Sequence, residues 1–288
     1  MSKPPFLTLP PGARARVLDT ARGPFAVHEA GAAGAGTALL VPGYTGSKED
    51  FVGLLAPLAD AGYRVVAVDG RGQFESPGPR EESAYTLAEL AADVHAQVAA
   101  LGAAGPVHLL GHSMGGLVAR TAVLRDPAPF ASLTLLSSGP GAVCEEQRAR
   151  TKLLVTGLEL LGDDMPAVWE AMRAESPDGI AEESPELTAF LRRRWLGTVP
   201  EQLIGTGRAL MDEPDRTAEL AERAPDLPKL VLSGVRDPVW PVAWMDSMAE
   251  TLNATRITIE GSEHSPNAEK PQVTAGALIR FWESAHRS

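Results

Sequence analysis

The chain has 288 residues, 44% hydrophobic and 22% charged, with a net charge of −11. That length suits one large α/β domain with room for an insertion, and the excess of acid argues against a nucleic-acid partner or an anionic membrane surface. A single cysteine, Cys144, excludes an internal disulfide and gives no sign of an oxidising compartment.

The first eleven residues are cut up by Pro4, Pro5, Pro10 and Pro11 and hold no apolar leader core. No run approaches the roughly 18 apolar residues of a membrane span, so a cytoplasmic protein is expected. Ala15–Asp19 and Phe25–His28 read as two short strands around the turn 21–24, and a Gly/Ala-rich stretch, Gly31–Gly36, follows. An alternation then begins. Ala38–Val41 is a continuous apolar strand, and Lys48–Ala61 carries Phe51, Leu54, Leu55 and Leu58 at helical spacing. Arg64–Val68 is a strand, and Leu87–Leu101 a helix with Leu87, Leu90, Val94 and Val98 on one face. Val107–Leu110 is a strand, Gly115–Leu124 a helix, and Leu133–Leu136 a strand.

Strands that are apolar throughout and separated by helices predict a mostly parallel α/β sheet covered on both faces. The alternation stops between about 141 and 224. That segment reads as helical, with breaks at Pro166, Pro177, Pro185, Pro200 and Pro214. It resumes with a strand at Lys229–Leu232, a helix at Val242–Leu252, a strand at Arg256–Ile259 and a helix at Val273–Trp282. The expected organisation is a core of residues 1–140 and 225–288, with a helical cap, residues 141–224, inserted after the strand that follows the Gly115–Leu124 helix.

The most telling stretch is Gly111-His112-Ser113-Met114-Gly115-Gly116, at a strand-to-helix junction. A serine between small residues at such a junction is how a nucleophile elbow is built, since strand and helix backbones nearly touch there. Ligand sites of open α/β sheets lie at the carboxyl ends of the strands. Those ends carry Pro42-Gly43-Tyr44, Asp69–Gln73, Ser113, Ser233–Pro238 and Glu260–His264. A nucleophile, an acid and a histidine therefore share one rim in the order Ser113, Asp237, His264.

With these motifs the chain resembles the α/β-hydrolase family, in its capped ester-hydrolase branch, over almost its whole length. Gly111–Gly116 is similar to the G-H-S-M-G-G elbow of esterases and monoacylglycerol lipases, and Asp69–Ser76 to the family's D-x-R-G-x-G-x-S turn. Two departures stand out. Pro42-Gly43 replaces the usual His-Gly of the oxyanion loop, and Phe74 replaces the turn's second glycine. The resemblance implies a serine hydrolase acting through an acyl-enzyme on Ser113. His264 is then the base, Asp237 orients it, and the backbone N–H groups of Tyr44 and Met114 form the oxyanion hole. No metal or organic cofactor is implied. The expected partner is a fairly apolar, uncharged small-molecule ester, lactone or thioester. C–C or amide hydrolysis, perhydrolysis and acyl transfer on the same triad are alternatives, as is a non-catalytic ligand-binding protein. Epoxide and haloalkane hydrolysis are disfavoured, because relatives with that chemistry carry aspartate where Ser113 stands.

The other residues read more plainly. His28 and His108 sit in or beside strands, His95 in a helix and His286 in the tail, while His112 is expected to be structural. Asp237-Pro238 is also a turn former. The strand-end position after Leu136 holds Ser137-Ser138-Gly139, with no acid. Glu263 is expected to point away from His264. Asp69 and Arg71 read as a structural loop pair, Cys144 as incidental, and Arg192-Arg193-Arg194 as a solvated helix face. Met165, Trp169, Met172, Trp195 and Met211 are candidates for lining an acyl pocket, or equally for the cap's own core.

Overall fold

Strands that are apolar on both sides need cover on both faces, and the computed structural model, which describes residues 2–161, 164–174 and 183–285, supplies it. Pro177 and His286 lie outside the described residues. The strands are β1 (Arg14–Thr20), β2 (Gly23–Ala30), β3 (Gly36–Val41), β4 (Tyr63–Val68), β5 (Val107–His112), β6 (Phe130–Leu136), β7 (Lys229–Gly234) and β8 (Thr255–Ile259). They form one sheet in the order β1-β2-β4-β3-β5-β6-β7-β8. Strand β2 runs antiparallel to both its neighbours, and every other pairing is parallel.

Along β3, Leu39 and Val41 face one hydrophobic layer while Ala38 and Leu40 face another. The first layer holds side chains of α2 (Leu87–Leu101), α3 (Met114–Arg125) and α9 (Val242–Thr251). The second holds those of α1 (Val52–Asp60) and α10 (Pro271–Ala285). The ends of α2 are written locally. The Thr86 hydroxyl accepts from the Glu89 N–H, and Gly102 closes the helix in the left-handed region. The expected helix over Lys48–Ala61 is split, with a 3-10 turn at Lys48–Phe51 before α1.

Between β6 and β7 the described residues form α4 (Glu145–Leu161), α5 (Met165–Ala174), α6 (Pro185–Gly197), α7 (Pro200–Asp212) and α8 (Thr217–Arg223). Pro185 and Pro200 open α6 and α7, where a missing N–H costs nothing. These helices share a small core of their own: Leu158, Met165, Val168, Trp169, Phe190, Leu191, Trp195 and Leu203.

Charged residues depart from the sequence reading at two places. Arg192 and Arg193 are exposed, as expected, but Arg194 is buried and pairs with Asp50 at 2.8 Å. Successive helix residues diverge by about 100°, so the third of the run turns toward the core. Asp69 and Arg71 do not pair with each other. Asp69 binds Lys48 and Arg71 binds Asp93, because the turn between them sends the two side chains to different elements.

At the sheet edge Glu29 of β2 collects Arg14 and Arg16 from β1 and Arg64 from β4. Burial alone would raise its pKa. The hydrogen bonds from Arg16 and Arg64 outweigh that and hold it at about 2, against an ordinary 4.5. A carboxylate depressed in the folded state stabilises fully above its unfolded pKa and loses that contribution as pH falls through its folded one. Acid unfolding of the wild type should therefore steepen between pH 4.5 and 2. Glu29→Gln should flatten that limb, as read by urea midpoints at stepped pH, and parallel limbs would refute this account.

Candidate active site

The tight strand-to-helix junction at Ser113 forms because three glycines allow it. A Cβ on Gly111 would stand 2.1 Å from the Gly115 carbonyl oxygen, and one on Gly115 would stand 2.4 Å from that of Val41. One on Gly116 would meet the Ser138 hydroxyl at 2.3 Å. With strand and helix this close, the connecting residue has no ordinary conformation left. Ser113 sits at φ 54°, ψ −121°, a region that disfavours side chains, and is pinned by its N–H to the Leu136 carbonyl at 2.9 Å.

Strands β7 and β8 follow β6 in the sheet, and the loops after them bring the other two groups. A Cβ on Gly234 would lie 2.2 Å from the Glu263 carbonyl oxygen, so the Asp237 and His264 loops run in contact. The Ser113 hydroxyl donates to His264 Nε2 at 3.1 Å. His264 Nδ1–H donates to both Asp237 oxygens at 2.9 Å. The Asp237 side chain is fully buried, and its Oδ1 also accepts the N–H groups of Val239 at 2.8 Å and Trp240 at 3.2 Å. The turn-forming and imidazole-binding roles of Asp237 thus coexist in one side chain. Glu263 points away, to Arg236 at 2.9 Å.

Support for His264 comes from residues whose part the sequence does not announce. The His112 Nε2–H donates to the His264 carbonyl at 2.9 Å. Burial first, then the neighbouring His264, pushes His112 down to about 3, so this imidazole stays neutral. The Glu269 carboxylate accepts the N–H groups of Glu263 at 2.5 Å and Ser265 at 2.9 Å, gripping the loop on either side of His264. The Trp240 ring stacks near His264, with centroids 6.3 Å apart, and its own N–H donates to the Gly141 carbonyl. A Cβ on Gly139 would collide with that ring at 2.1 Å, so the β6 end that lacks an acid is the floor for Trp240.

Gly43 lies against Ser113, since a Cβ there would be 3.1 Å from Ser113 Cβ. Tyr44 follows it and runs under α7. Its hydroxyl donates to the Leu203 carbonyl at 2.7 Å, and a Cβ on Gly207 would meet the Tyr44 hydroxyl oxygen at 2.6 Å. Burial pushes the phenol pKa up, so the hydroxyl remains a donor. Met114 is the first residue of α3, where a backbone N–H has no partner within the helix. Gln73 donates to the Gly43 carbonyl at 2.8 Å.

The five candidate lining residues do not share one fate. Met165, Trp169 and Trp195 pack into the small core above the sheet, where the Trp195 N–H donates to the Met165 carbonyl at 2.8 Å. Met211 is buried on α7. Met172 borders a cavity of about 640 Å³ that also touches Tyr44, Thr45, Leu154, Val168 and Leu191. Cys144 donates weakly to the Pro238 carbonyl.

Residues 38–277 match the alpha/beta hydrolase family. The chain is 28% identical to epoxide hydrolase A of Mycobacterium tuberculosis, over 92% of this chain and 96% of that protein. It is also 28% identical to a pimeloyl-[acyl-carrier protein] methyl ester esterase of Aeromonas hydrophila, over 79% of this chain and 88% of the other. Among solved structures, a hydrolase from Pseudomonas aeruginosa PA01 superposes with a TM-score of 0.76 at 26% identity, covering 93% of this chain and 98% of its own.

Proposed function

Because the chain belongs to the alpha/beta hydrolase family, we propose that it is a serine hydrolase that cleaves a carboxylic ester of an uncharged, fairly apolar molecule through an acyl-enzyme on Ser113. The single observation that carries this reading is the unbroken line of hydrogen bonds from Ser113 Oγ through His264 to Asp237. In this mechanism Ser113 attacks the ester carbonyl as its proton passes to His264 Nε2. Asp237 holds the imidazole in the tautomer with Nδ1 protonated and stabilises the cation that forms. The negative charge that develops on the carbonyl oxygen is met by the N–H groups of Tyr44 and Met114. His264 then protonates the leaving alcohol. Water, deprotonated by the same imidazole, releases the acid and restores Ser113.

The nature of the nucleophile separates this reading from epoxide opening, the activity named for one relative. A carboxylate that opens an epoxide forms an ester, which water can cleave. A serine would form an alkyl ether, for which this site has no release chemistry. The methyl ester esterase relative is named for the ester class proposed here.

The cavity beside Tyr44 supports an apolar acyl chain. Its charged lining residues are engaged by protein partners: Lys3 and Arg173 with Glu183, and Arg150 with Glu146. The surface left for a ligand includes Leu154, Leu161, Val168, Met172 and Leu191. The 141–224 cap is proposed to set the substrate range from there.

The test is a p-nitrophenyl ester series from acetate to decanoate. Turnover should favour medium acyl chains over acetate. Absence of turnover across the whole series contradicts the reading.

A further inference from the structure

The residue that holds the oxyanion loop in shape is not on that loop. Gln73 lies in the turn after β4, and its buried side chain bridges two backbones. Its Nε2 donates to the Gly43 carbonyl at 2.8 Å and reaches the Tyr44 carbonyl at 3.3 Å, while its Oε1 accepts the Gly70 N–H at 2.9 Å. The Gly43 carbonyl also accepts the Gly46 N–H at 3.2 Å.

The peptide unit matters here. The carbonyl of Gly43 and the N–H of Tyr44 belong to one planar trans peptide, so they point in opposite directions. Fixing where the carbonyl points also fixes where the N–H points. A donor on the carbonyl further polarises the N–H of the same unit, because hydrogen bonds in a chain reinforce one another.

The turn that carries Gln73 is itself tightly held. Its backbone bonds to Gly70 and Ser76, at 3.0 and 2.9 Å. Its neighbours Gly72 (φ 70°) and Phe74 (φ 42°) both adopt the left-handed region, and for Phe74 that conformation is costly. Such strain persists only where the surroundings impose it, and these surroundings include Asp69 tied to the Lys48 N–H at 2.7 Å and the Phe74 ring against Phe190.

We propose that Gln73 is a positioning residue for catalysis: it orients and polarises the Gly43–Tyr44 peptide so that the Tyr44 N–H faces the oxyanion. This role rests on the serine-hydrolase reading above. It also accounts for the residue type, since the position demands a donor and an acceptor on one short planar group. Glutamate would set a second oxygen against the Gly43 carbonyl, and methionine would fill the space with neither.

The experiment compares Gln73→Met and Gln73→Glu with wild type in three measurements. These are steady-state hydrolysis of p-nitrophenyl butyrate, inhibition by an alkyl trifluoromethyl ketone, and the urea unfolding midpoint. The ketone forms a tetrahedral adduct whose oxygen occupies the oxyanion position. Both variants should lose kcat by about 10- to 100-fold while KM changes less than about threefold. Ketone affinity should weaken by the same factor as kcat/KM, and at least one variant should keep its unfolding midpoint. The proposal is overturned if kcat survives within threefold in a folded variant. A rise in KM alone, or ketone affinity that stays at the wild-type level, also overturns it, as does activity that falls only in step with the unfolding midpoint in both variants. A wild type that neither hydrolyses the ester nor binds the ketone overturns the serine-hydrolase reading and this role with it. An active wild type with unaffected variants overturns this role alone.

Discussion

Ser113→Ala should lower p-nitrophenyl butyrate turnover by on the order of 10⁴- to 10⁶-fold, the scale on which losing the nucleophile of a serine–histidine–aspartate unit is felt. Fold stability should barely change, since among the described residues the hydroxyl's hydrogen bond is the one to His264. Ser113→Gly makes the point more sharply. Glycine adopts φ 54°, ψ −121° without the cost a side chain incurs there, so this variant should be equally inactive yet up to about 1 kcal/mol more stable than Ser113→Ala. Activity and stability would then move in opposite directions at one residue. Residual turnover above a tenth of wild type in either variant would remove Ser113 from the chemistry.

The second large effect lies 65 residues earlier. Lys48 is buried, and its ammonium is shared by Asp69 at 2.8 Å, Glu75 at 2.7 Å and Glu49 at 3.0 Å. Burial and the nearby Glu49 push the Asp69 carboxyl up against the pull of Lys48, while the Lys48 ammonium is held more firmly protonated than usual. Lys48→Met removes the cation and leaves buried carboxylates facing one another. The expected loss is about 3–5 kcal/mol, the range for orphaning a buried charge, read as a lower urea midpoint at pH 7. Adding Asp69→Asn should recover part of that loss, because it removes the most deeply buried of the stranded charges. A loss below about 1 kcal/mol, or a double variant weaker than the additive sum, would show that the cluster is not held together by this charge. The turn carrying Gln73 starts at Asp69, so the same substitution should also depress ester turnover.

Of these two sites, the first is legible in the sequence and the second is not. The central strands and their helices could be read directly, because a run such as Leu39-Leu40-Val41 has no polar side to offer solvent. Ser113, Asp237 and His264 could be read as a group, because strand ends are the places an open sheet leaves for function, and the structure brings all three within hydrogen-bonding reach. The region between β6 and β7 was readable as helical but not by direction. Trp169 and Trp195 turn toward each other's helices, and nothing in an isolated helix tells an inward face over a cavity from an inward face over a neighbour. Lys48, Arg194 and Gln73 were not legible. A charge or an amide in sequence reads as surface, and these three are buried by partners 21, 144 and 30 residues away in the chain. Phe74 falls between these cases. Its departure from the family's glycine was visible, whereas the φ of 42° and the packing against Phe190 that hold it there belong to the folded chain alone.

The central claim is that Ser113 is a nucleophile activated by His264, and covalent capture tests it most directly. Wild-type protein treated with an alkyl fluorophosphonate should gain the mass of one phosphonate, mapped by peptide mass spectrometry to the peptide containing Ser113. The adduct should vanish in Ser113→Ala and form far more slowly in His264→Ala. No adduct, or one that persists unchanged in Ser113→Ala, would contradict the account.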